Sequence, residues 1–347
     1  VLSRSFKYHR PRGIFTAGEE EPNALLEIGE GARREPSCRA PTVPLTEGLV
    51  ARSQNCWPSV DFDAGRVIDY SHALWPAGFY NKTFKWPNWH WWEGIIRHTA
   101  GLGRALTEAD PDHYEQVNAH CDVLIMGAGP SGLLAALVAG RAGLRVMLVD
   151  QGEDLGGVLN WEPYQIAGQP ARAWVQEAIA ELTALPGVIL LPRTTVAGNY
   201  DHNVTTLLQR SSSGSWRECY WTVRPREVIL AAGAIEQGLI FPDNDRPGIM
   251  LAGAVRHYLH RYAVVPGHKV VIATNNDTAY QTAVDLHAAG FSDIAVADGR
   301  AEVNSQLLQR LQKLGIECLA NTRIATTQGD KGIREISLQQ GNGKQLG

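Results

Sequence analysis

An α/β fold with a parallel sheet is predicted for this 347-residue chain by three features of its sequence. Short apolar runs alternate with helical patterns from residue 121 onwards, which is typical of strand–helix–strand units. A glycine-rich turn, Gly127–Gly132, separates the first of these runs from the first helix. The second run ends in an acid, Asp150. Together these features indicate a Rossmann-like unit, in which a glycine turn joins a parallel strand to the start of a helix.

The first strand–helix–strand unit is the clearest part of the sequence. The apolar run Asp122–Met126 lies between turn residues and predicts a buried parallel strand. A run of small and apolar residues, Leu133–Ala139, predicts a helix that ends at Gly143. Leu144–Asp150 predicts the second strand, so these three elements form one βαβ unit.

The later elements continue this alternation as far as a second α/β series. Apolar positions at three- and four-residue spacing predict a helix over residues 171–185. Antiparallel ribbons are predicted over residues 194–223. The other predicted elements are strands at 188–191, 227–233, 269–273 and 293–297, and helices at 248–263 and 278–289.

Composition excludes several classes of function. A net charge of −4 gives no general reason to expect a nucleic acid or an anionic membrane as partner. No apolar run reaches the length of about 18 residues that a membrane-spanning helix needs. The five cysteines have neither metal-ligand nor redox spacing, so we expect reduced thiols in a cytoplasmic protein. We predict no metal site and no catalytic side chain in this chain.

The glycine turn predicts a dinucleotide-binding site. Gly127 allows the tight turn, Gly129 lets the backbone approach a pyrophosphate, and Gly132 lets helix and strand pack closely. The helix start then directs free N–H groups and the positive end of the helix dipole at the phosphates.

The acid at the end of the second strand predicts which dinucleotide binds. A carboxylate at Asp150 accepts hydrogen bonds from ribose hydroxyls and repels a 2′-phosphate, which favours NAD or FAD over NADP. Gln151 and Gly152 are expected on the same ribose edge, and Gly157 close to the cofactor. Ala232 and Gly233, at the end of a later strand, are expected to let a cofactor lie against the backbone.

Two other segments leave alternatives open. Trp86–Glu93 is rich in tryptophan, and it is either a buried plug or an aromatic face for a flavin or a partner subunit. Thr274–Asp277 stands where a second glycine turn would lie. It has no glycine, so a close approach of pyrophosphate is less expected there.

Three long segments and one short one resemble the alpha subunit of heterotetrameric sarcosine oxidases. The long segments are Ser5–Gly13 with Glu21–Ala24, Gly127–Gly132 with Asp150, and Asn244–Val255; Thr274–Asp277 is the short one. The resemblance implies a Rossmann-like two-dinucleotide-binding (FAD/NAD(P)-binding) fold with an N-terminal partial ferredoxin-like segment. It also implies four regions, with bounds at 1–35 (ferredoxin-like), 36–120 (aromatic-rich connection), 121–265 (dinucleotide-binding domain) and 266–347 (incomplete second lobe).

The resemblance further implies a fragment, since the family's alpha subunit starts earlier and ends in a folate-binding aminomethyltransferase-like domain. It implies NAD in this chain, FAD on a beta subunit, FMN at the interface with that subunit, and additional gamma and delta subunits. The NAD contacts it implies are Gly127, Gly129, Ser131, Gly132, Asp150, Gln151, Gly152, Val158, Val196 and Ala197. The implied reaction is oxidative demethylation of sarcosine, with oxygen as electron acceptor.

One difference from related dehydrogenases predicts that this chain has no iron–sulfur cluster. Such a cluster needs cysteine thiolates, and residues 1–37 contain no cysteine. Two alternatives to the sarcosine oxidase interpretation remain open. The chain is then either the FAD-binding subunit of a dye-linked proline, opine or cyanide-forming glycine dehydrogenase, or a non-catalytic scaffold stabilised by a nucleotide.

Overall fold

The computed structural model describes residues 3–22, 25–74, 78, 83–211, 214–341 and 343–346. Asn23 and Ala24, which contribute to the family resemblance, lie outside them. Residue contacts divide the chain into two compact units. The central unit comprises residues 111–235 and 260–262, and the flanking unit comprises residues 1–110, 236–259 and 263–347.

The strands and helices are numbered here in chain order. The strands are β1 (Ser3–Arg4), β2 (Pro11–Arg12), β3 (Leu25–Ile28), β4 (Glu35–Arg39), β5 (Ala51–Ser53), β6 (Tyr114–Met126), β7 (Val146–Val149), β8 (Gln165–Ile166), β9 (Gln169–Pro170), β10 (Val188–Leu191), β11 (Thr194–Asn199), β12 (Thr205–Arg210), β13 (Glu218–Leu230), β14 (Val270–Thr274), β15 (Ile294–Asp298), β16 (Glu317–Leu319), β17 (Thr322–Gly329), β18 (Ile333–Gln340) and β19 (Gln345–Leu346). The helices are α1 (Val67–Tyr70), α2 (Trp89–Thr99), α3 (Pro130–Arg141), α4 (Ala171–Ala184), α5 (Ala252–Tyr262), α6 (Tyr280–Ala288) and α7 (Ser305–Lys313).

The central unit is built on a six-stranded sheet in the order β10-β7-β6-β13-β12-β11. The first four strands in this order are parallel, while β12 and β11 continue the sheet in antiparallel pairing. Strands β6 and β13 pair from Tyr114 with Glu218 to Met126 with Leu230. This register brings the carboxyl ends of β6 and β13 to the same edge of the sheet as the end of β7.

Both faces of this sheet are covered by apolar side chains. Helices α3 and α4 pack on one face, where Ile125, Leu133, Leu148 and Leu182 are fully buried. On the other face Leu124, Met147 and Leu207 form a second buried cluster. The predicted strand Asp122–Met126 and the helix and strand that follow it are therefore present, and their spacing agrees with burial on both sides of a parallel sheet.

The flanking unit contains a second α/β series. Strands β14, β15 and β16 form a parallel sheet, and Tyr280, Leu286 and Val296 are buried between this sheet and its helices. An antiparallel sheet of β17, β18 and β19 follows. The N-terminal part of the unit contains the antiparallel sheet β4-β3-β5 and the short pair β1–β2.

Candidate functional site

The glycine turn between β6 and α3 has the geometry of a phosphate-binding loop. Gly127 has φ +103°, and a Cβ there would overlap the carbonyl oxygen of Ala231. A Cβ on Gly132 would overlap the carbonyl oxygen of Gly127. Around Gly129, by contrast, no described atom lies within 4 Å of an added Cβ. The first and third glycines thus serve packing, and the second borders open space where a ligand fits.

The start of α3 supplies hydrogen-bond donors to this open space. Pro130 occupies the first helical position, where its missing N–H costs nothing. The N–H groups of Ser131 and Gly132 belong to the first turn, where helical geometry provides them with no carbonyl partner. The Ser131 side chain is exposed. The helix start can therefore bind an anion with backbone donors.

Asp150 holds the loop in place from the end of β7. Its carboxylate accepts hydrogen bonds from the N–H of Ala128 (2.7 Å) and from the N–H of Gly152 (2.8 Å). The side chain therefore fixes both the glycine turn and the start of the next loop. Each carboxylate oxygen has a further lone pair for a ribose hydroxyl.

The loop after Asp150 forms a second wall next to the glycine turn. The N–H of Gly156 donates to the carbonyl oxygen of Ala128 (2.8 Å), and a Cβ on Gly157 would lie 3.0 Å from the Cα of Gly129. Gln151 is exposed, and so is Val158, with 44% of its surface accessible. The structure thus brings Gly157 against Gly129 and leaves Gln151 and Val158 accessible.

The end of β13 forms the third wall. The N–H of Ala231 donates to the carbonyl oxygen of Met126 (2.8 Å), which continues the pairing with β6 as far as the glycine turn. Ala232 and Gly233 come next and are exposed. Gly233 has φ +72° and borders open space, since no described atom lies within 4 Å of an added Cβ. Small residues from two neighbouring strand ends therefore line the same groove.

The two predicted adenine contacts on β11 have different surroundings. Val196 is half-buried and packs against the apolar cluster of the sheet, whereas Ala197 is exposed at an irregularity in the pairing of β11 with β12. Strand β11 starts beside the acid, because the N–H of Thr194 donates to the carbonyl oxygen of Asp150 (2.7 Å). Ala197 is therefore the more accessible of the two.

Sequence reasoning missed an ion pair at the ribose edge, Arg193 with Glu153. The Nη1 atom of Arg193 lies 3.4 Å from the Oε1 atom of Glu153, and the N–H of Arg193 donates to the carbonyl oxygen of Gly152 (2.9 Å). The position of Arg193 in the sheet was the signal that could have identified it. Arg193 lies shortly after β10, and Asp150 directly follows the neighbouring strand β7. Ligands of open α/β sheets bind at the carboxyl ends of such strands.

In the second α/β series, N–H groups of the loop after β14 donate to side chains of the same loop. The hydroxyl of Thr274 accepts from the N–H of Asn276 (3.1 Å), and the Asn276 side chain accepts from the N–H of Thr278 (3.0 Å). Asp277 pairs with Arg300 (2.8 Å), which also pairs with Asp298 at the end of β15 (2.7 Å). These donors and charges are therefore already engaged within the protein.

Asp298 is the acid that corresponds in position to Asp150 in this second series. Its side chain is fully buried, which opposes ionisation, but hydrogen bonds from Arg300 and from the Tyr280 hydroxyl outweigh this and lower its pKa. Burial and the neighbouring Cys318 and Asp298 side chains raise the pKa of Tyr280. The pair Asp298–Arg300 thus stays charged inside the lobe.

The aromatic segment does not form a buried plug, so that interpretation is wrong for the residues described there. Helix α2 has no buried residue among those described, and Trp86 and Trp91 expose 83% and 59% of their surface. The Trp92 ring stacks at an angle on Phe84, and its N–H donates to the carbonyl oxygen of Trp86. Tryptophan is abundant both in cores and at interfaces, so composition alone could not separate the two.

None of the five cysteines forms a disulfide, and the thiols of Cys121, Cys219 and Cys318 are unreactive. Burial, with the adjacent Asp122 carboxylate, raises the pKa of Cys121 to about 11. Burial also raises the pKa of Cys219 and Cys318. A protonated thiol is a poor nucleophile and metal ligand, so these three residues have a packing role.

The described part of the chain contains neither a membrane-spanning helix nor a cluster of metal-binding side chains. None of its helices is both long and apolar enough to cross a membrane. Its His, Cys, Asp and Glu side chains form no group of three or more that could hold a metal ion.

Comparison with known proteins connects this geometry to a family of oxidoreductase subunits. The chain is 46% identical to the sarcosine oxidase subunit alpha of Rhizobium meliloti (strain 1021) over 353 residues, which cover 98% of this chain and 35% of that protein. It is 36% identical to the sarcosine oxidase subunit alpha of Corynebacterium sp. (strain P-1), over 95% of this chain and 31% of that protein. The chain spans about a third of the length of these relatives.

The fold prediction is confirmed by two further comparisons. A family model described as FAD dependent oxidoreductase matches residues 122–213, the segment that contains the glycine turn and Asp150. Thioredoxin reductase from Lactococcus lactis has a similar structure, with a TM-score of 0.51 at 18% identity over 65% of this chain and 73% of that one. The α/β, Rossmann-like two-dinucleotide-binding architecture is therefore correct.

The prediction that the chain has no iron–sulfur cluster is wrong. A family model described as 2Fe-2S iron-sulfur cluster binding domain matches residues 1–56. The prediction considered only residues 1–37, whereas the matched segment also contains Cys38 and Cys56. In the structure the Cys38 thiol faces the carbonyl oxygen of Glu35, and the Cys56 thiol donates to the hydroxyl of Ser53. Among the described residues of this segment, no three or more cysteine, histidine, aspartate or glutamate side chains come together as a ligand set.

The similarity to sarcosine oxidase alpha subunits covers 98% of this chain. It includes the phosphate loop, whose glycines fit a dinucleotide by their packing and their open space. The resemblance is therefore confirmed: over nearly its whole length this chain is a homologue of the sarcosine oxidase alpha subunit.

Proposed function

We propose that the central unit binds NAD as part of an alpha-type subunit of a sarcosine oxidase-like complex. The observation that carries this proposal is the open groove at Gly129, between the start of α3 and the loop that follows Asp150. The homology to alpha subunits supports the assignment to such a complex. Its partners would be the beta, gamma and delta subunits.

The roles of the residues follow from their positions around the groove. Backbone donors of Ser131 and Gly132 would hold the pyrophosphate, and Gly129 would allow it to come close. Asp150 and Gly152 would orient the ribose. Ala232 and Gly233 would leave room along the cofactor. When bound, NAD would supply a nicotinamide ring able to accept hydride.

The reaction of the complex would be oxidation of sarcosine to glycine, with hydrogen peroxide and either formaldehyde or methylene-tetrahydrofolate as co-products. The flavin chemistry would take place on the partner subunit, while this chain would bind NAD and contribute to the shared interface. Five free cysteines fit the reducing conditions of the cytoplasm, where we place the complex.

A second candidate function has its own support. The family model that matches residues 122–213 describes FAD-dependent oxidoreductases, and the same groove would accept the ADP part of FAD. This chain would then be the flavoprotein subunit of a proline, opine or glycine dehydrogenase and would carry the redox chemistry itself.

Identification of the bound cofactor separates the two functions. The purified protein is denatured, and the small molecules it releases are identified by absorption spectrum and mass. Release of NAD and no flavin from this chain supports the alpha-subunit function. FAD at about one per chain overturns it in favour of the dehydrogenase, and the absence of any dinucleotide overturns both.

A further inference from the structure

The ribose edge of the proposed site carries a pair of opposite charges, Arg193 and Glu153. Arg193 and Glu153 lie 3.4 Å apart, with 21% and 75% of their side chains accessible. An ion pair with one solvent-exposed partner contributes little to stability. The position of the pair beside Asp150 therefore indicates its role better than its contribution to stability does.

Backbone hydrogen bonds fix Arg193 at this position. Its N–H donates to the carbonyl oxygen of Gly152, and the next N–H, of Thr194, donates to that of Asp150. Arg193 also has φ +53°, a left-handed conformation that is uncommon for a residue with a side chain. The turn after β10 is thus tied to the residues that would contact the ribose, and the guanidinium reaches Glu153 on the same loop.

We infer that Glu153 and Arg193 determine how this site treats a phosphate on the adenosine 2′-oxygen. The inference rests on the proposed function, because it concerns the same groove. A free guanidinium near the ribose attracts a 2′-phosphate, whereas a carboxylate repels it. With Glu153 in place, the charge of Arg193 is neutralised, so the guanidinium does not offset the repulsion of a 2′-phosphate by Asp150 and the site selects a dinucleotide without one.

The test measures the affinities of the full-length protein for NAD and NADP by calorimetric titration. Glu153→Gln leaves the guanidinium of Arg193 without its counter-charge. We expect the affinity for NADP to rise about five-fold, the range of one exposed ion pair, while the affinity for NAD changes less than about two-fold. Adding Arg193→Gln to this variant should remove the gain.

A matched control is Glu181→Gln, which changes the net charge by the same amount. Glu181 pairs with Arg141 at the far end of α3, and a twelve-residue helix is about 18 Å long. We expect this variant to keep the wild-type ratio of affinities. An equal gain for NADP in Glu181→Gln, or an unchanged ratio in Glu153→Gln, overturns the inference and leaves the proposed function intact. Failure of the wild-type protein to bind either dinucleotide overturns both.

Discussion

The three glycines of the turn differ in what each one does, and this difference predicts different results when they are substituted. Gly129 has φ −70° and ψ −171°, which any residue can adopt, and it borders open space. Gly129→Val should therefore fold like the wild-type protein but block the pyrophosphate, lowering NAD affinity at least ten-fold. Thermal unfolding and calorimetric titration check the two parts of this prediction.

Gly132→Ala is the matched variant in the same turn. Its methyl group would overlap the carbonyl oxygen of Gly127, so the helix has to move away from the strand. Overpacking of this kind costs about 1–3 kcal/mol. We expect a lower unfolding temperature for Gly132→Ala and an unchanged one for Gly129→Val. A destabilised Gly129→Val would show that Gly129 serves packing and does not face a ligand.

The sequence allowed the glycine turn and its neighbouring acid to be predicted, but not the contacts that hold them together. The glycines and Asp150 follow from local spacing along one βαβ unit. The hydrogen bond from Ala128 to Asp150 and the position of Arg193 depend on how three strand ends meet in space. Arginine is common on protein surfaces, so nothing in the local sequence marks Arg193.

Among the elements, the apolar ends of the strands were predictable and their polar ends were not. Of strand β6, the sequence predicted only the part Asp122–Met126, whereas the strand begins at Tyr114. The residues from Tyr114 to His120 are mostly exposed and have no apolar run. They are extended because β13, about a hundred residues later in the chain, pairs with them. Such non-local pairing leaves no periodic pattern in the sequence.

The charged cluster of the second α/β series predicts a dependence of stability on pH. The folded-state pKa of Asp298 lies below its ordinary value of 3.8, so this carboxylate contributes stability above that pH. The contribution is lost as the pH falls through the folded-state pKa. We expect the unfolding temperature to fall steeply below about pH 4, and to fall less steeply in Asp298→Asn.

Asp293→Asn provides the control for this pH dependence. Asp293 precedes the same strand, but its pair with Lys269 is exposed, so its removal should change little. At pH 7 we expect Asp298→Asn to unfold at a lower temperature than Asp293→Asn, because it leaves Arg300 without a buried partner. Parallel pH profiles for wild-type protein and Asp298→Asn would contradict the proposed role of this carboxylate.

Across the whole molecule there are two strand–loop–helix–strand series. The first contains the glycine turn and the second does not. The loop Gly127–Gly132 leaves donors directed at open space, while the loop Thr274–Thr278 uses its donors on its own side chains. Both series end their second strand with an aspartate. Asp150 accepts a hydrogen bond from the glycine turn, whereas Asp298 is buried and forms an ion pair with Arg300. The glycines therefore distinguish the first series from the second in the sequence. The structure shows that the two loops differ in whether their N–H groups are already hydrogen-bonded.

This difference predicts where a dinucleotide protects the chain against hydrogen exchange. With NAD bound, we expect amides of residues 127–133 and 150–158 to exchange at least ten-fold more slowly, because the ligand engages the loop donors and excludes water. Residues 274–279 should exchange at the same rate with and without NAD, since the N–H groups of Asn276 and Thr278 already donate to side chains of this loop. Gly129→Val with NAD serves as the control and should show no protection. Equal protection of residues 274–279 would mean that the second loop opens to bind nucleotide, despite the hydrogen bonds that close it here.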